Sequence, residues 1–350
     1  RMGKRPRRSK DVDHAAAAIA GAPLPSVLLC AWRDQLALHG TAEACWLDSD
    51  QLQSGTLVGE TIMAIPELAV YAEHIAGVEI WGQRRMLSSP MHLHFDCDEQ
   101  YSRLSQKLRC PSHTCVLYAS DFGGPTLVLD FRPGDAWHET VRCFACWPSA
   151  GQSFSFPGNM LHAVLATEPA KSVCSGGGDG GEDGDGNSSG DGGSDGVGSI
   201  VRETVVLNLW SERPVDLPGV LHSDIPTVDI PITNASWLAS SITIAGDSLT
   251  EQKQQKQQHG EEQDEEQKDA PLKDGAVQDP LAVTSNEAWA WQTLSVGTIY
   301  GMETVKLRLP SSISKNAPGA CRARHGGQLF AFTALVRDPP DTKTIGPMYN

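Results

Sequence analysis

No stretch of this 350-residue sequence approaches the roughly 20 consecutive apolar residues that a membrane span requires. The nearest candidate, residues 15–30 (AAAAIAGAPLPSVLLC), is broken by Pro23 and Pro25. Asp11, Asp13 and His14 separate it from the preceding basic residues, so it reads as the start of a domain and not as a signal peptide. A disulfide framework is missing as well. The nine cysteines (Cys30, Cys45, Cys97, Cys110, Cys115, Cys143, Cys146, Cys174 and Cys321) are odd in number, irregularly spaced and mostly set in apolar, strand-like contexts. That is the pattern of reduced thiols in a cytosolic or nuclear protein. Cys143 and Cys146 make a lone CxxC, and zinc needs a second ligand pair that does not follow. Nor is there a basic surplus: 28 Lys and Arg face 43 Asp and Glu, for a net charge of −15. With the acidic tracts 176–195 and 251–274 set aside the body is still acidic, which argues against a phosphate-gripping nucleic-acid surface. The exception is the arm Arg1–Lys10 (RMGKRPRRSK), readable as a nuclear-import or polyanion-binding tail or as a plain unstructured terminus. The chain opens at Arg1 and not at Met, so no N-terminal targeting is read from it.

The 40% apolar content suits a globular protein with a real core. Residues 14–75 mix helical periodicity with short apolar runs, and Pro66–His74 has proline where a short helix would start. From Val78 the texture changes. GVEIWG, MHLHFD, HTCVLYAS, PTLVLDF, QSFSFP, HAVLA and ETVVLNLW are short, rich in β-branched and aromatic residues, and bounded by turn formers. No helical pattern intervenes between 110 and 170, which disfavours a parallel α/β sheet. The expected fold is mainly β (α+β): a double-stranded β-helix, or jelly roll, with flanking N-terminal helices. Tract 172–199 has almost nothing to bury and predicts a flexible insertion within one domain, since loop closure grows only logarithmically with length. The expected organisation is a basic arm at 1–13, a domain at 14–245 carrying that insertion, and a Gln/Glu/Lys-rich linker at 246–279. Strand texture resumes at 280–350, as an extension of the same domain or a small appended module.

The segment PMHLHFDCDE (90–99) carries the chemistry. On a strand, alternate side chains share a face, which would align His92, His94, Asp96 and Asp98. Such groups are costly to bury without a partner, and a divalent cation resolves that cost. Two histidines and one carboxylate, with open positions beside them, suit non-haem Fe(II). His94 and Asp96 supply two ligands. The third must be a distant histidine, and His162, after the alternating strand and turn SFSFPGNML, is the best placed.

These motifs resemble the 2-oxoglutarate- and Fe(II)-dependent dioxygenases, over roughly Val78–Trp210. His94-x-Asp96, Gly123-Gly124-x-Thr126 and Phe156-Pro-Gly-Asn-Met-Leu-His162-Ala-Val164 fall in the family's order. The resemblance implies that His94, Asp96 and His162 bind iron. It also implies that an arginine opening the last core strand binds the distal carboxylate of 2-oxoglutarate, for which Arg's forked donors are suited. Arg202 lies 40 residues after His162, and without the 28-residue tract the separation is 12, which restores the family's spacing. Thr204 shares the Arg202 face, Tyr118 matches the family's second-strand tyrosine, and Lys171 is a weaker rival for the carboxylate. The implied activity couples decarboxylation of 2-oxoglutarate, with O2, to hydroxylation or oxidative demethylation, releasing succinate and CO2; ascorbate is an optional auxiliary reductant.

The HFDCDE segment and the Tyr118–Arg202 pairing look like the prolyl-hydroxylase-type branch, which acts on protein side chains; small-molecule hydroxylation stays open. The nucleic-acid dealkylating branch is expected to carry a second Arg where this chain has Asn208. Two other readings compete. His92-Leu-His94 with Glu99 and His162 imitates the cupins, which share the jelly roll and bind several metals. A jelly roll can also serve as a non-catalytic binding module. His113 and His138 read as structural, and the tryptophans as core. The expected location is cytoplasmic or nuclear.

Overall fold

The computed structural model describes residues 18–39, 44–52, 55–167, 201–219, 226–228, 281–282, 287–298, 301–313, 328–341 and 345. The basic arm 1–13, the insertion 172–199, the linker 246–279 and Lys171 lie outside the described residues. The strands are β1 (Ile19–Ala20), β2 (Cys45–Asp48), β3 (Gly77–Met86), β4 (Met91–His94), β5 (His113–Tyr118), β6 (Thr126–Leu129), β7 (Thr140–Cys146), β8 (Ser153–Phe156), β9 (Leu161–Val164), β10 (Val201–Trp210), β11 (Leu281–Ala282), β12 (Trp289–Thr298), β13 (Gly301–Pro310) and β14 (Leu329–Arg337). Four helices precede or interrupt them: α1 (Ser26–His39), α2 (Leu57–Ala64), α3 (Pro66–Ala69) and α4 (Glu99–Ser105). The architecture is mainly β.

Two sheets form. The first runs β1-β8-β5-β10-β3-β2, and the second β11-β14-β13-β12-β4-β9-β6-β7, with β14 also paired to β7. From β3 to β10 the chain alternates between the sheets, apart from the β6–β7 hairpin within the second. The extra β14–β7 pairing, together with the parallel β12–β4 contact at Val296 and Leu93, closes the second sheet on itself. Its interior is a single apolar cluster. Leu93, Leu127, Leu129, Cys143 and Ala145 pack there with Val305, Leu307, Leu309, Phe330 and Phe332 from the C-terminal strands.

The first sheet is two-faced, as period-2 alternation requires. One side of β3, β5 and β10 (Val78, Ile80, Cys115, Leu117, Val205, Leu207, Leu209) meets Leu28, Trp32, Leu36 and Ile62 of the helices. Trp32 Nε1 on α1 donates to Thr61 Oγ1 on α2 at 2.9 Å, which ties the two helices together. The other side faces the second sheet, where Val116, Tyr118 and Val206 pack with Val128, Phe144, Phe154 and Phe156. The site therefore lies in the space between the sheets.

Local chemistry explains the helix ends. Thr56 caps α2 by accepting from Gly59 N at 3.1 Å, and Asp98 caps α4 by accepting from Tyr101 N at 2.8 Å. Such caps are worth about 1 kcal/mol each. Proline starts α3 as expected, but the helix stops at Ala69, and a separate turn of 3₁₀ helix covers Ala72–His74. His113 is buried and stacked on Tyr71 with 4.6 Å between ring centroids. Neither ring nitrogen has a hydrogen-bond partner among the described residues.

Two outcomes follow from this packing. Removing residues 287–350 should uncover the apolar interior lined by Leu127, Leu129 and Cys143, giving an aggregation-prone protein that binds a hydrophobic dye; a monomeric, dye-silent truncation would contradict the shared core. Burial holds the His113 imidazole down at about 4, against an ordinary value near 6.5. The unfolded chain then takes up a proton that the folded one refuses, so stability falls as pH drops from about 6.5 toward 4, by up to ~3 kcal/mol. Urea unfolding across that range should show a shallower pH dependence in His113→Phe than in the natural protein.

Candidate metal centre

The pairing of β4 with β9 sets His94 directly opposite His162. The two rings are 4.3 Å apart between centroids, tilted by 53°. Asp96 follows just beyond the end of β4, and its Oδ1 lies 3.6 Å from Nε2 of each histidine. Ligand atoms of all three lie within 4.8 Å of one another, and all three residues are buried. Groups bound about 2.1 Å from one ion are separated by roughly 3–3.6 Å at angles of 90–120°. The two separations that Asp96 makes fall at the upper end of that range, and the triad is compact enough to close on one ion.

Hydrogen bonding orients the rings for that task. His94 Nδ1 lies 2.8 Å from the His92 carbonyl oxygen, and His162 Nδ1 lies 3.0 Å from the Met160 carbonyl oxygen. A carbonyl can only accept, so each Nδ1 carries the proton and each Nε2 turns a lone pair toward the cluster. Asp96 Oδ2 sits 3.2 Å from Thr114 Oγ1, which also lies 2.8 Å from Asn208 Oδ1. Asn208 Nδ2 in turn donates to Glu79 Oε2 at 3.2 Å, joined there by Trp210 Nε1 at 3.0 Å. Asp96 Oδ2 and Asn208 Oδ1 both only accept, so the single Thr114 hydroxyl proton serves one of them at a time.

Burial by itself would raise the Asp96 carboxyl. The neighbouring His162, and the hydrogen bonds of both imidazoles, outweigh it and hold the group far below the ordinary carboxylate range. Burial lowers His94, helped by the nearby His162, while Asp96 lifts His162 above its usual value despite burial. Burial and the Asp96 charge push Glu79 up to about 7. One anion is thus shared between two imidazoles in an apolar setting, a charge set that a divalent cation completes.

The expected alignment of His92, His94, Asp96 and Asp98 on one face does not hold. A register shift between Met91 and His94 re-aims the strand, and β4 ends at His94. His92 is exposed. Asp98 is buried beneath α4 and ion-paired to Arg109. Glu99 pairs with Arg103 at 3.1 Å. Among the described residues, the triad is the one group of three or more such side chains within metal-binding reach, and it includes neither His92 nor Glu99. The cupin arrangement therefore does not form.

A second buried polar cluster lies on the inner face of the first sheet. Thr204 is flanked by Tyr118 on β5 and Gln83 on β3, with Arg202 two residues before it. Arg202 is 3% exposed, and Nη2 donates to Thr126 Oγ1 at 2.9 Å. Tyr118 Oη lies 2.8 Å from the same Thr126 oxygen and donates to the Cys146 carbonyl at 3.1 Å. The Arg202 guanidinium lies 5.4 Å from the Tyr118 ring centroid. Gly123 has φ of 111°, and a Cβ there would come within 2.6 Å of the Arg202 stem; one on Gly124 would strike the Leu165 carbonyl. The Gly123-Gly124-x-Thr126 motif thus makes room for Arg202 and supplies its hydroxyl partner. Arg202 Nε and Thr204 Oγ1 are buried and unpaired among the described residues. Thr126 as the hub of this cluster, and Glu79 behind Asp96, were not singled out from the sequence.

No protein-family model matches the chain. No curated protein matches it either. Among solved structures its neighbours include a 2OG-Fe(II) oxygenase family member and non-haem α-ketoglutarate-dependent enzymes, all at low identity. A prolyl-4-hydroxylase from Pseudomonas putida is 14% identical over 54% of this chain and 94% of that one, with a TM-score of 0.26. HygX from Streptomyces hygroscopicus, solved with iron bound, is 11% identical over 61% of this chain and 93% of that one, with a TM-score of 0.32. A 2OG-Fe(II) oxygenase family member from Burkholderia pseudomallei is 12% identical over 40% of this chain, with a TM-score of 0.22, and the chain spans 45% of its length. At such values the weight falls on the site itself. No helix among the described residues is long and apolar enough to cross a membrane.

If the triad holds a metal, Asp96→Ala or His162→Ala should weaken Fe(II) or Co(II) binding by at least roughly 100-fold, since even partners outside the ligand set are worth 10- to 100-fold. Glu99→Ala should leave it unchanged. Calorimetric titration under argon reads both, and equal losses in all three variants would contradict the assignment.

Proposed function

We propose that this chain is a 2-oxoglutarate-dependent Fe(II) dioxygenase, with His94, Asp96 and His162 as the iron ligands. Arg202 and Thr204 hold the distal carboxylate of 2-oxoglutarate, and Tyr118 and Thr126 fix the Arg202 side chain. The strand alternation from β3 to β10 is that of a double-stranded β-helix, with the triad on one sheet and Arg202 on the other.

The observation that carries this reading is the buried guanidinium. Arg202 is sealed between the sheets with no carboxylate in ion-pair reach among the described residues. A buried, uncompensated charge costs several kcal/mol, and evolution supplies a partner or removes the charge. Two unpaired donors, Arg202 Nε and Thr204 Oγ1, match the two oxygens of one carboxylate. A metal triad alone fits many hydrolases and binding proteins; a triad and an anion cradle within one apolar interior fit a cosubstrate with a chelating end and a carboxylate end.

When bound, Fe(II) and 2-oxoglutarate supply the oxidising chemistry: O2 is consumed, the keto acid is decarboxylated to succinate, and one oxygen atom goes to the substrate. The protein's own contribution is positional. The backbone carbonyls of His92 and Met160 hold both imidazoles with Nε2 inward, Thr114 steadies Asp96, and Phe156, 5.1 Å from the His162 ring centroid, helps exclude water. The substrate we favour is a protein side chain, from the prolyl-hydroxylase-like HFDCDE segment and Tyr118–Arg202 pairing. Nucleic acid is disfavoured by the net charge of −15 and by Asn208, which is committed to Glu79 and Thr114.

The test is succinate release from 2-oxoglutarate by the Fe(II)-loaded protein, alone and with cell extract. Turnover should depend on Fe(II), and Arg202→Leu should raise the 2-oxoglutarate concentration needed by about 100-fold or more while metal affinity is kept. Intact metal binding with no turnover under either condition would favour a binding module instead.

A further inference from the structure

On β3, three donors in a row have no counterpart. Trp81 Nε1, Gln83 Nε2 and Arg85 Nε are buried and lack hydrogen-bond partners among the described residues. They alternate along the strand, so they share one face, and at 3.3–3.4 Å per residue the row spans roughly 13 Å. That face looks inward. Gln83 pairs through Thr204 with Tyr118, whose hydroxyl reaches the second sheet, and Trp81 packs on the cluster of Val116, Phe154 and Phe156. The outward face belongs to Arg84, paired with Glu203 at 2.9 Å.

Arg85 stands directly opposite Arg202 in the ladder, and neither has a carboxylate in ion-pair reach among the described residues. Like charges opposite one another on neighbouring strands destabilise a sheet. The pair is tolerable where each cation holds an anion. One carboxylate satisfies the two free donors of Arg202 and Thr204, which leaves Arg85 and the donors beside it unused. β2 covers β3 only from Gly77 to Ile80, so beyond Ile80 this edge has no strand partner among the described residues. Arg85 itself is half-buried, at the rim of the interior.

We propose that Trp81, Gln83 and Arg85 form the recognition site for the substrate to be oxidised, and that this substrate carries a carboxylate. The assignment rests on the dioxygenase reading and names its substrate class. Arg85 takes the carboxylate, and the neutral donors of Gln83 and Trp81 take carbonyl or hydroxyl oxygens further along. Arg85 is the one free cation of this row among the described residues, which favours a monoanion over a phosphate dianion. The row ends at Glu79, two residues beyond Trp81 on the same face, whose carboxyl would repel a second negative group.

The experiment uses the whole chain loaded with Mn(II) and saturating 2-oxoglutarate under argon, after the affinity for each has been measured in every variant. Matched probes are added and the thermal midpoint is followed: benzoate against benzamide, and a capped Gly-Asp-Gly tripeptide against its Asn counterpart. The expected result is saturable stabilisation by at least one carboxylate and not by its amide. Arg85→Gln should weaken that probe at least about tenfold with 2-oxoglutarate affinity unchanged, and Arg85→Lys, which keeps the charge, should retain part of the effect. Response to benzoate or to the tripeptide tells a free acid from an acidic side chain. The site is overturned if no carboxylate outperforms its amide, or if Arg85→Gln weakens 2-oxoglutarate instead of the probe. A natural protein that binds neither Mn(II) nor 2-oxoglutarate would overturn the underlying dioxygenase reading, and the metal titration reports that outcome first.

Discussion

The cross-strand meeting of His94 and His162 is the contact on which the rest of the site depends. A strand pair has a side-chain period of 2, so a slip of one residue would send either imidazole to the opposite face. The register shift between Met91 and His94 sets this phase, turning His92 to solvent and His94 inward. Two backbone carbonyls then fix the tautomers, and Asp96 closes the triangle at 3.6 Å from both rings. The bulge is thus part of the site's construction, as bulges beside active sites commonly are.

The space between the sheets is organised by charge. The second sheet presents a carboxylate with two imidazoles, and the first presents two arginines. Between them lie apolar walls of Val116, Val128, Phe144, Phe154 and Phe156. In such low-dielectric surroundings an uncompensated guanidinium is strongly unfavourable, and an anion bound there gains accordingly. The glycines at 123 and 124 exist for the same reason, because the turn they make lies against the Arg202 stem and the Leu165 carbonyl. The His94–Asp96–His162 triad, the glycine turn and Arg202 are consequences of one arrangement.

Much of this was legible in the chain's own pattern. The strands from β3 to β10, apart from β7, follow the short β-branched and aromatic runs, and His94, Asp96, His162 and Arg202 stand out by residue type and order; β7 contains the Cys143-Phe-Ala-Cys146 stretch, which reads in the sequence as a lone CxxC. Other features depend on geometry that one-dimensional alternation does not carry. The period-2 rule puts His92 and Asp98 beside His94 and Asp96, whereas a bulge and a helix cap remove them. Trp81 reads as core and packs on the inner cluster, although its buried indole nitrogen has no partner among the described residues. Gln83 and Arg85 carry one weak signal in WGQRR, the alternation of inward Gln and Arg with outward Arg84, which takes its meaning only from the strand's pairing. The closure of the second sheet by β12–β14 is a long-range pairing that no local pattern encodes.

The proposed function turns on one ferrous ion held by His94, Asp96 and His162, with adjacent positions open to a chelating keto acid. Anaerobic addition of 2-oxoglutarate to the Fe(II)-loaded protein, followed by visible absorption, tests it most directly. The expected result is a charge-transfer band that needs iron and 2-oxoglutarate together and is lost in His162→Ala. Tight iron binding with no new absorption at saturating 2-oxoglutarate would contradict it.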